Sequence, residues 1–444
     1  MTTALLDLPV VGNAPEVLPL PRRILKHPRL MHYNRLVVLV MTINGGLLVR
    51  GVAADWWTSD GADLDALALA AQTNLAAAVL FRQQYVLNAL GWLATRPPTS
   101  WPLRVRWALG KYYHFGGLHV GAAVAGTLWY LVLVVSMIRD AIAVEGAGVG
   151  LASSAQLLLG LTIATTFTVM VVMALPRLRA VHHDRFEVTH RFCGWAALVL
   201  VWFNTLLFVD GDLLAAPAFW LIVLSVGMAV WPWLLLRRVP VSVERPSSHA
   251  AILRLDHGVP PAVGTTRPIS RSPFVGWHHF ANVPAAPGTT GYRMLVSRAG
   301  DWTSELIDEP PTHVWVRGIP TVGVANVRKL FTKVVIVATG SGIGPVLGHL
   351  LDTSVPSRLV WVTKNPRLTY GDAFVDEIQA AHPDALIWDT GAFGKPDVWQ
   401  LAYDAYVESG AEAVVCVANR AVTWDVVHGF ERCGIPAFGP IWDS

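Results

Sequence analysis

The sequence has few cysteines and few charged residues, and each shortage excludes a class of protein. Its three cysteines, Cys193, Cys416 and Cys433, are too few and too scattered for a disulfide framework or a zinc site, so no oxidising compartment is implied. Charged residues make up 15% of the chain, whereas 53% are hydrophobic and the mean hydropathy is +0.45. These values exclude an ordinary soluble globule of 444 residues and predict a membrane protein.

The start of the chain also lacks the features of a secretory signal. Residues 1–35 have no positively charged start followed by an apolar core and a small-residue cleavage site, and we interpret them as a Pro-rich cytosolic segment. The net charge of +3 does not indicate nucleic-acid binding, because the basic residues lie mainly in short loops beside apolar runs.

Long apolar runs are concentrated in residues 36–238, which we predict to be a six-helix transmembrane domain. A span needs about 20 apolar residues. Six segments qualify, namely 36–54, 65–92, 115–138, 155–175, 192–209 and 216–236. Basic residues lie mainly in alternate connecting loops and just outside the first and last spans. The positive-inside rule therefore places both chain ends in the cytoplasm. The prediction is an integral protein of the plasma or cytoplasmic membrane.

Two histidines, His119 and His190, lie at the cytosolic starts of the third and fifth predicted spans. A polar side chain within an apolar stretch is usually functional, and two helices that enter from the same side can clamp a haem iron between them. Glycines and alanines in "GGLHVGAA" around His119 leave room for a bulky group, although small residues also serve helix packing. The alternative is a pair of interfacial or packed histidines.

A cation, Arg82, lies in the apolar second span within "FRQQYVLN". It either holds a haem propionate or an anionic substrate, or its long side chain reaches toward the inner leaflet.

The second half of the chain has the pattern of two soluble domains. Residues 239–328 contain short alternating runs separated by Pro, Gly and Ser, which predict a small antiparallel β-barrel. Residues 329–444 alternate apolar strands with helices, which predicts a doubly wound α/β domain. In "TGSGIGP", Gly340, Gly342 and Gly344 let the backbone approach a pyrophosphate at a helix start, although such a turn alone is weak evidence.

Six spans followed by a barrel and a nucleotide fold resemble the ferric reductase and NADPH oxidase superfamily. "FEVTH", which ends at His190, is similar to that superfamily's Phe/Tyr-Glu pattern ahead of a haem histidine, and "GSGIGP" resembles the glycine motif of ferredoxin-NADP reductases. "THRFCGW" and "GIPAFGPIWDS" are similar to TmpA-like integral membrane oxidoreductases.

The resemblance implies one inner b-type haem, held by His119 and His190. Members with two haems carry a second histidine 13 or 14 residues further along each helix. This sequence has other residues at those places, namely Val132, Leu133, Phe203 and Asn204. A transmembrane relay of two haems is therefore not implied.

The resemblance also implies FAD on the barrel. "WHHFAN" resembles the superfamily's "HPFT" flavin motif, with His278 and Phe280 at matching places, and "RAGDWTSEL" resembles "GDWT", with Gly300, Trp302 and Thr303 matching. Two departures are that Ala281 replaces the hydroxyl residue of the first motif and that "GIPTVG" replaces "GPYG". "WHHFAN" by itself fits an aromatic barrel edge equally well.

For NAD(P)H, the resemblance implies that Cys416 lies near the nicotinamide and that Phe438 or Trp442 stacks on the flavin. Lys364 and Arg367 follow the second strand of the α/β domain, where a 2′-phosphate of NADP would lie. As loop charges they are equally often only solvated.

The sequence thus predicts a membrane flavin oxidoreductase that passes electrons from NAD(P)H through FAD to a single haem and on to an unidentified acceptor. One alternative is a haem-free membrane flavoprotein that reduces a quinone or an organic substrate. Another is a non-catalytic sensor or scaffold with a degenerate reductase domain.

Overall fold

A computed structural model describes residues 15–57, 62–143, 151–209, 211–258, 261–274, 276–285 and 288–441. The described chain forms two compact units. The helical unit contains residues 32–86 and 114–231, and the β-rich unit contains residues 15–31, 87–113 and 232–441. Residues 87–113, which the sequence assigned to the transmembrane domain, thus group with the strands.

In the part of the chain that the structure describes, ten α-helices precede the first strand. They are α1 (Leu20–Leu25), α2 (His32–Ala53), α3 (Leu64–Leu80), α4 (Gln84–Ala94), α5 (Leu103–Leu109), α6 (Gly116–Ala143), α7 (Leu151–Met173), α8 (Pro176–Val181), α9 (His183–Phe208) and α10 (Pro217–Leu234).

The helical unit buries a core between α3, α6, α7 and α9. Leu67, Leu133 and Ile163 have no exposed surface there, and Trp129 donates a hydrogen bond to Asn44 (2.8 Å). The outer faces are apolar as well: Val49 is 70% exposed and others, such as Leu158, are similarly open. A helix that is apolar on all sides is typical of a membrane span.

Four helices in the described residues are long and apolar enough to cross a membrane: His32–Ala53, Leu103–Ile142, Ser154–Met173 and Pro217–Leu234. A fifth is counted if α3 and α4 form one bent span. The six predicted spans are therefore not shown. Helix α9, which carries the fifth predicted span, is not among these helices; its first turns are charged, and Asn204 and Thr205 lie in its apolar part.

The second predicted span, 65–92, is not one continuous helix. It breaks after Leu80, and α3 and α4 meet at an angle of 67°. Within the β-rich unit, Asn88 on α4 donates to the Pro320 carbonyl (2.7 Å) and accepts from the Val322 amide (2.9 Å). These bonds hold α4 against residues 320–322.

The first sheet of the β-rich unit is antiparallel and nearly closed. Its order is β4-β3-β7-β1-β2-β6-β5, with β8 paired to β3, and its end strands β4 and β5 are separated only by Asn282. The predicted barrel is thereby confirmed. Its elements are β1 (Arg237–Glu244), β2 (Ala250–Leu255), β3 (Thr265–Ser270), β4 (His278–Ala281), β5 (Val283–Pro284), β6 (Tyr292–Ser297), α11 (Asp301–Asp308), β7 (His313–Val316) and β8 (Thr321–Val322).

The second sheet is parallel, with the order β11-β10-β9-β12-β13, and helices connect its strands as the predicted doubly wound domain requires. Its elements are β9 (Val334–Thr339), α12 (Ile343–Leu351), β10 (Ser357–Thr363), α13 (Pro366–Tyr370), α14 (Asp372–Ala381), β11 (Leu386–Asp389), α15 (Thr390–Phe393), α16 (Val398–Ser409), β12 (Ala413–Val417), α17 (Arg420–Arg432) and β13 (Ala437–Phe438).

Candidate functional site

Three residues of the two predicted flavin motifs meet in the barrel. His278 and Phe280 lie two residues apart on β4, so their side chains share one face of the sheet. Trp302 lies in the first turn of α11. The ring centres of His278 and Trp302 are 4.3 Å apart, and Phe280 stacks on Trp302 at 5.9 Å with 24° between the planes. All three rings are half-buried, and together they form an aromatic surface that fits a flat ring system such as a flavin.

Thr303, which the match to "GDWT" assigns to the flavin site, uses its hydroxyl for the helix start. The oxygen accepts from the amides of Ala299 (2.9 Å) and Gly300 (3.1 Å), and the hydroxyl donates to the Gly300 carbonyl (3.0 Å). Asp301 in the same turn adds a negative charge, which opposes a phosphate. The side chain of Thr303 is therefore committed to capping α11, and its role toward a cofactor stays a prediction.

Arg267 is a candidate that sequence reasoning missed. It pairs with Phe280 across β3 and β4, so both side chains lie on the same face. One guanidinium nitrogen contacts the His257 ring (3.2 Å), whereas the buried Nε atom has no hydrogen-bond partner. A buried donor without a partner is costly, and beside an aromatic surface it fits an anionic group such as a phosphate. The only sequence signal is a cation in the alternating strand "TTRPIS".

The glycine turn lies where it was predicted, between β9 and α12. Gly340 has a positive φ of +50°, and a Cβ atom on Gly342 would overlap the carbonyl oxygen of Val417 at the end of β12. Glycine is therefore needed for the turn at Gly340 and for the close approach of the turn to β12 at Gly342. The carboxyl ends of adjacent parallel strands form the usual ligand crevice of such sheets, and this turn lies at that edge.

Cys416 is fully buried inside the parallel sheet. Burial raises the pKa of its thiol to about 12, so the group is an inert neutral thiol within the core. The residue exposed at the end of β12 is Asn419, whose side chain caps α17 by accepting from the Val422 amide (3.1 Å). The assignment of Cys416 to the nicotinamide stays a prediction.

The two aromatic residues predicted to stack on a flavin have different positions. Trp442 lies outside the described residues. Phe438 has no exposed surface, and its ring packs against Phe331, with ring centres 5.5 Å apart, and against Gly110. Its ring is thus enclosed within the β-rich unit.

Lys364 and Arg367 follow β10, as predicted. Lys364 is exposed, whereas Arg367 pairs with Asp372 (3.0 Å) and Asp376 (2.8 Å) on α14. Two carboxylates already neutralise Arg367, and the assignment of both residues to a 2′-phosphate stays a prediction.

In the helical unit, the structure brings His119 and His190 together. Their ring centres are 6.3 Å apart and the ring planes meet at 74°. Imidazoles bound to opposite sides of one metal have ring centres about 6 Å apart, because each metal–nitrogen bond is about 2 Å long. Nδ1 of His119 bonds to the Ala78 carbonyl (2.8 Å), which leaves Nε2 for a metal. The donor pair fits haem ligation.

The surroundings of this pair differ from those expected. Gly117 and Gly121 near His119 contact α2: a Cβ on Gly117 would overlap the Tyr33 carbonyl, and one on Gly121 would lie 2.9 Å from Val40. The small residues therefore serve helix packing and do not leave room for a bulky group on that side.

Arg82 lies in the break after α3. Its side chain is exposed and is within electrostatic range of both His119 and His190. No group of three or more His, Cys, Asp or Glu suited to a metal ion occurs in the part of the chain that the structure describes.

Part of the chain matches a known family model. Residues 324–444 match the model for the C-terminal domain of adenylate-forming reductase 03009. This stretch contains the segment that precedes β9 and the whole parallel sheet. It makes up less than half of the chain.

Two curated proteins of Coprinopsis cinerea are similar over nearly all of the chain. Adenylate-forming reductase 03009 is 40% identical over 440 residues, and adenylate-forming reductase 06235 is 38% identical over the same length. Each alignment covers 95% of this chain and 41% of the relative, so the chain spans about two fifths of the length of these relatives.

Among solved structures, a ferredoxin NADP+ reductase from Neisseria gonorrhoeae with bound FAD and NADP is 13% identical, with a TM-score of 0.39. The alignment covers 46% of this chain and 98% of the chain of that reductase. A score this low supports no statement on function. These similarities do not confirm membership of the ferric reductase superfamily, which stays a prediction.

Proposed function

We propose that this chain is a membrane-anchored flavin oxidoreductase that takes electrons from NAD(P)H. The observation that carries the proposal is the aromatic surface of His278, Phe280 and Trp302 beside the unpartnered Nε of Arg267, in the same unit as the glycine turn of the parallel sheet. The word reductase in the names of both relatives supports the same class of reaction.

FAD would be held by the aromatic surface, with Arg267 facing a phosphate. When bound, it supplies the exchange between two-electron hydride chemistry and single-electron transfer. The residues of this chain orient the ring system, pair the phosphate charge and exclude water from the aromatic surface. NAD(P)H would bind along the glycine turn, where backbone amides and the start of α12 favour a pyrophosphate.

The next electron carrier in the proposal is a single b-type haem on His119 and His190. The 6.3 Å separation of the two rings and the bond that fixes the His119 ring support this assignment. Arg82 provides the positive charge that a haem propionate needs. The ferric reductase resemblance remains the source of the haem hypothesis, and the electron acceptor is not assigned.

The order in which the chain enters and leaves the β-rich unit supports six membrane crossings. The chain leaves this unit after residue 31, returns at 87, leaves again after 113 and returns at 232. Each excursion that ends on its original side requires an even number of crossings. Helix α2 supplies one, and α3 supplies the second if it forms one bent span with α4; α6, α7 and α10 supply three, so α9 is needed as the fourth. The basic loops then favour the cytoplasm for the β-rich unit.

The test is the absorbance spectrum of the full chain in detergent, before and after NADPH or NADH. The proposal expects flavin bands that bleach and a Soret band that shifts on reduction. His119→Ala and His190→Ala should each lose the Soret band and keep the flavin bands, whereas His183→Ala, an exposed histidine at the start of α9, should keep both.

Each contrary spectrum identifies the part of the proposal that is wrong. Flavin bands without a Soret band in the wild-type protein would leave a haem-free flavoprotein. A colourless protein would indicate a sensor or scaffold. A full Soret band in both histidine variants would overturn the assignment of the ligands.

A further inference from the structure

The segment Leu103–Tyr113 joins two predicted spans in the sequence, yet it groups with the β-rich unit, and its residues 106 and 110–112 are buried there. We call this segment the strap. Lys111 of the strap donates to the Ala437 carbonyl on β13 (2.8 Å) and forms an ion pair with Glu431 on α17. The side chains of Lys111 and Glu431 are 5% and 8% exposed, so both charges are removed from water.

Glu431 is the centre of this cluster. Lys26 lies 3.8 Å from its carboxylate and Trp107 of the strap donates to it (3.3 Å). Burial acts to raise the pKa of the Glu431 carboxyl, but Lys111 and Lys26 more than offset this, so its pKa lies below the ordinary value. The carboxylate is charged at neutral pH and keeps Lys111 in place.

The strap also fixes the residues that follow β13. A Cβ atom on Gly110 would lie 2.6 Å from the Phe438 ring, so only glycine allows this close contact. The Gly439 amide donates to the Tyr113 hydroxyl (3.4 Å). A Cβ on Gly439 would itself lie 2.9 Å from the Cys416 carbonyl. The end of the chain therefore passes across β12 at the carboxyl edge of the sheet.

This is the edge at which Gly342 meets Val417, where the proposed function places NAD(P)H. We propose that Lys111 is a positioning residue for nucleotide binding: by holding the Ala437 carbonyl and Glu431, it fixes residues 437–441 as one wall of the nucleotide crevice. The inference rests on the proposed function for the identity of the nucleotide, and on the contacts alone for the position of the wall.

A purely structural role would not require a charge here. An apolar side chain of similar length fills the same space, and replacing a buried ion pair by apolar groups is often neutral for stability. A lysine ammonium adds a directed bond to one carbonyl, which fixes the position of the chain end. Lys111→Met alone leaves the buried Glu431 carboxylate with Lys26 as its neighbouring cation and should lower stability, so nucleotide affinity is the readout that separates a positioning role from a structural one.

The experiment uses the full chain in detergent and compares Lys111→Met with Lys111→Arg and with Arg104→Met, an exposed cation of the same strap. Amide hydrogen exchange of residues 437–441 is measured without nucleotide, and the Kd for NADP+ and NAD+ is measured by calorimetry. KM and kcat are then measured with NADPH or NADH and ferricyanide as a soluble acceptor.

Lys111→Met should speed exchange at Phe438 and Gly439 and raise Kd and KM about tenfold, the loss of one charge-assisted hydrogen bond, with kcat within about twofold. Lys111→Arg should restore part of the affinity, and Arg104→Met should match the wild type. Glu431→Gln, which removes the charge partner but not the lysine, should change exchange and Kd in the same direction and serves if Lys111→Met does not fold.

Two results would overturn the inference: unchanged exchange at residues 437–441 in both variants, or faster exchange with an unchanged Kd. A wild-type protein that binds neither nucleotide contradicts the proposed function as well as the nucleotide part of this inference. In that case, faster exchange in Lys111→Met would still show that the strap positions the chain end.

Discussion

The bidentate pair between Arg106 and Glu412 provides the sharpest test of how the β-rich unit is held together. The two guanidinium nitrogens lie 2.8 and 2.9 Å from the two carboxylate oxygens, and Arg106 also donates to the carbonyls of Trp101 (2.7 Å) and Leu330 (2.8 Å). Arg106 is 4% exposed, whereas the Glu412 side chain is 26% exposed. The Thr332 amide is a further donor to the same carboxylate (2.7 Å).

Glu412→Gln removes the negative charge and keeps the shape. Breaking a buried ion pair costs about 3–5 kcal/mol, and we expect about 2–3 kcal/mol here because Glu412 keeps some contact with water and Arg106 keeps two carbonyl partners. The assay is denaturant unfolding of the full chain at pH 7, followed by near-UV circular dichroism. Glu309→Gln, at an exposed position just after α11, should change the free energy of unfolding by less than about 0.5 kcal/mol.

The pH dependence gives an independent check. Hydrogen bonding from Arg106 lowers the pKa of Glu412 from its ordinary 4.5 to about 2. A lowered pKa in the folded state means that the unfolded state takes up the proton first, so this contribution is complete above pH 4.5 and is lost as the pH falls toward 2. Glu412→Gln should lack that part of the acid destabilisation. A variant as stable as the wild type at pH 7, or one with an unchanged acid slope, refutes the reasoning.

Three further results are expected. Gly342→Ala places a methyl group against the end of β12 and should lower the unfolding midpoint and abolish nucleotide binding, whereas Gly300→Ala, where a Cβ meets no atom within 4 Å, should do neither. Asn88→Ala removes both bonds that hold α4 and should speed hydrogen exchange of the Val322 amide at least tenfold, which corresponds to a loss of about 1.4 kcal/mol in the free energy of local opening. Burial, reinforced by a neighbouring arginine, lowers the pKa of His349 from 6.5 to about 3, so stability should fall as the pH falls below 6.5, and His349→Gln should flatten that part of the curve.

Local sequence patterns predicted the architecture of the second half. The apolar run before "TGSGIGP" forms β9, the glycines form the turn, and short alternating runs form the barrel strands. Strand alternation and glycine turns depend on neighbouring residues, which is why they can be read from one sequence.

Contacts between distant segments could not be read in this way. Nothing in residues 65–92 shows that α4 bonds to Val322, more than 200 residues later. Membrane hydropathy gave an uninterrupted span because it measures composition and takes no account of tertiary contacts.

Motif matches located the site residues but not the directions of their side chains. His278, Phe280 and Trp302 meet as expected, whereas the Thr303 hydroxyl and the Cys416 thiol are turned into the protein. Arg267 was missed because one cation in a strand is most often a solvated residue, and only the fold places it beside Phe280.

The β-rich unit is built from three separate segments of the chain, and this determines when during synthesis it is able to fold. Residues 87–113 are made before four of the predicted spans, and the strands that cover them, including β13, are made after those spans. The strap must therefore wait, with Arg106 and Lys111 unpaired, until the residues of β13 have been made. For the same reason, residues 232–441 expressed alone would leave Glu412 and Glu431 without their cations and would uncover Phe438. Such a fragment should aggregate unless residues 87–113 are supplied with it.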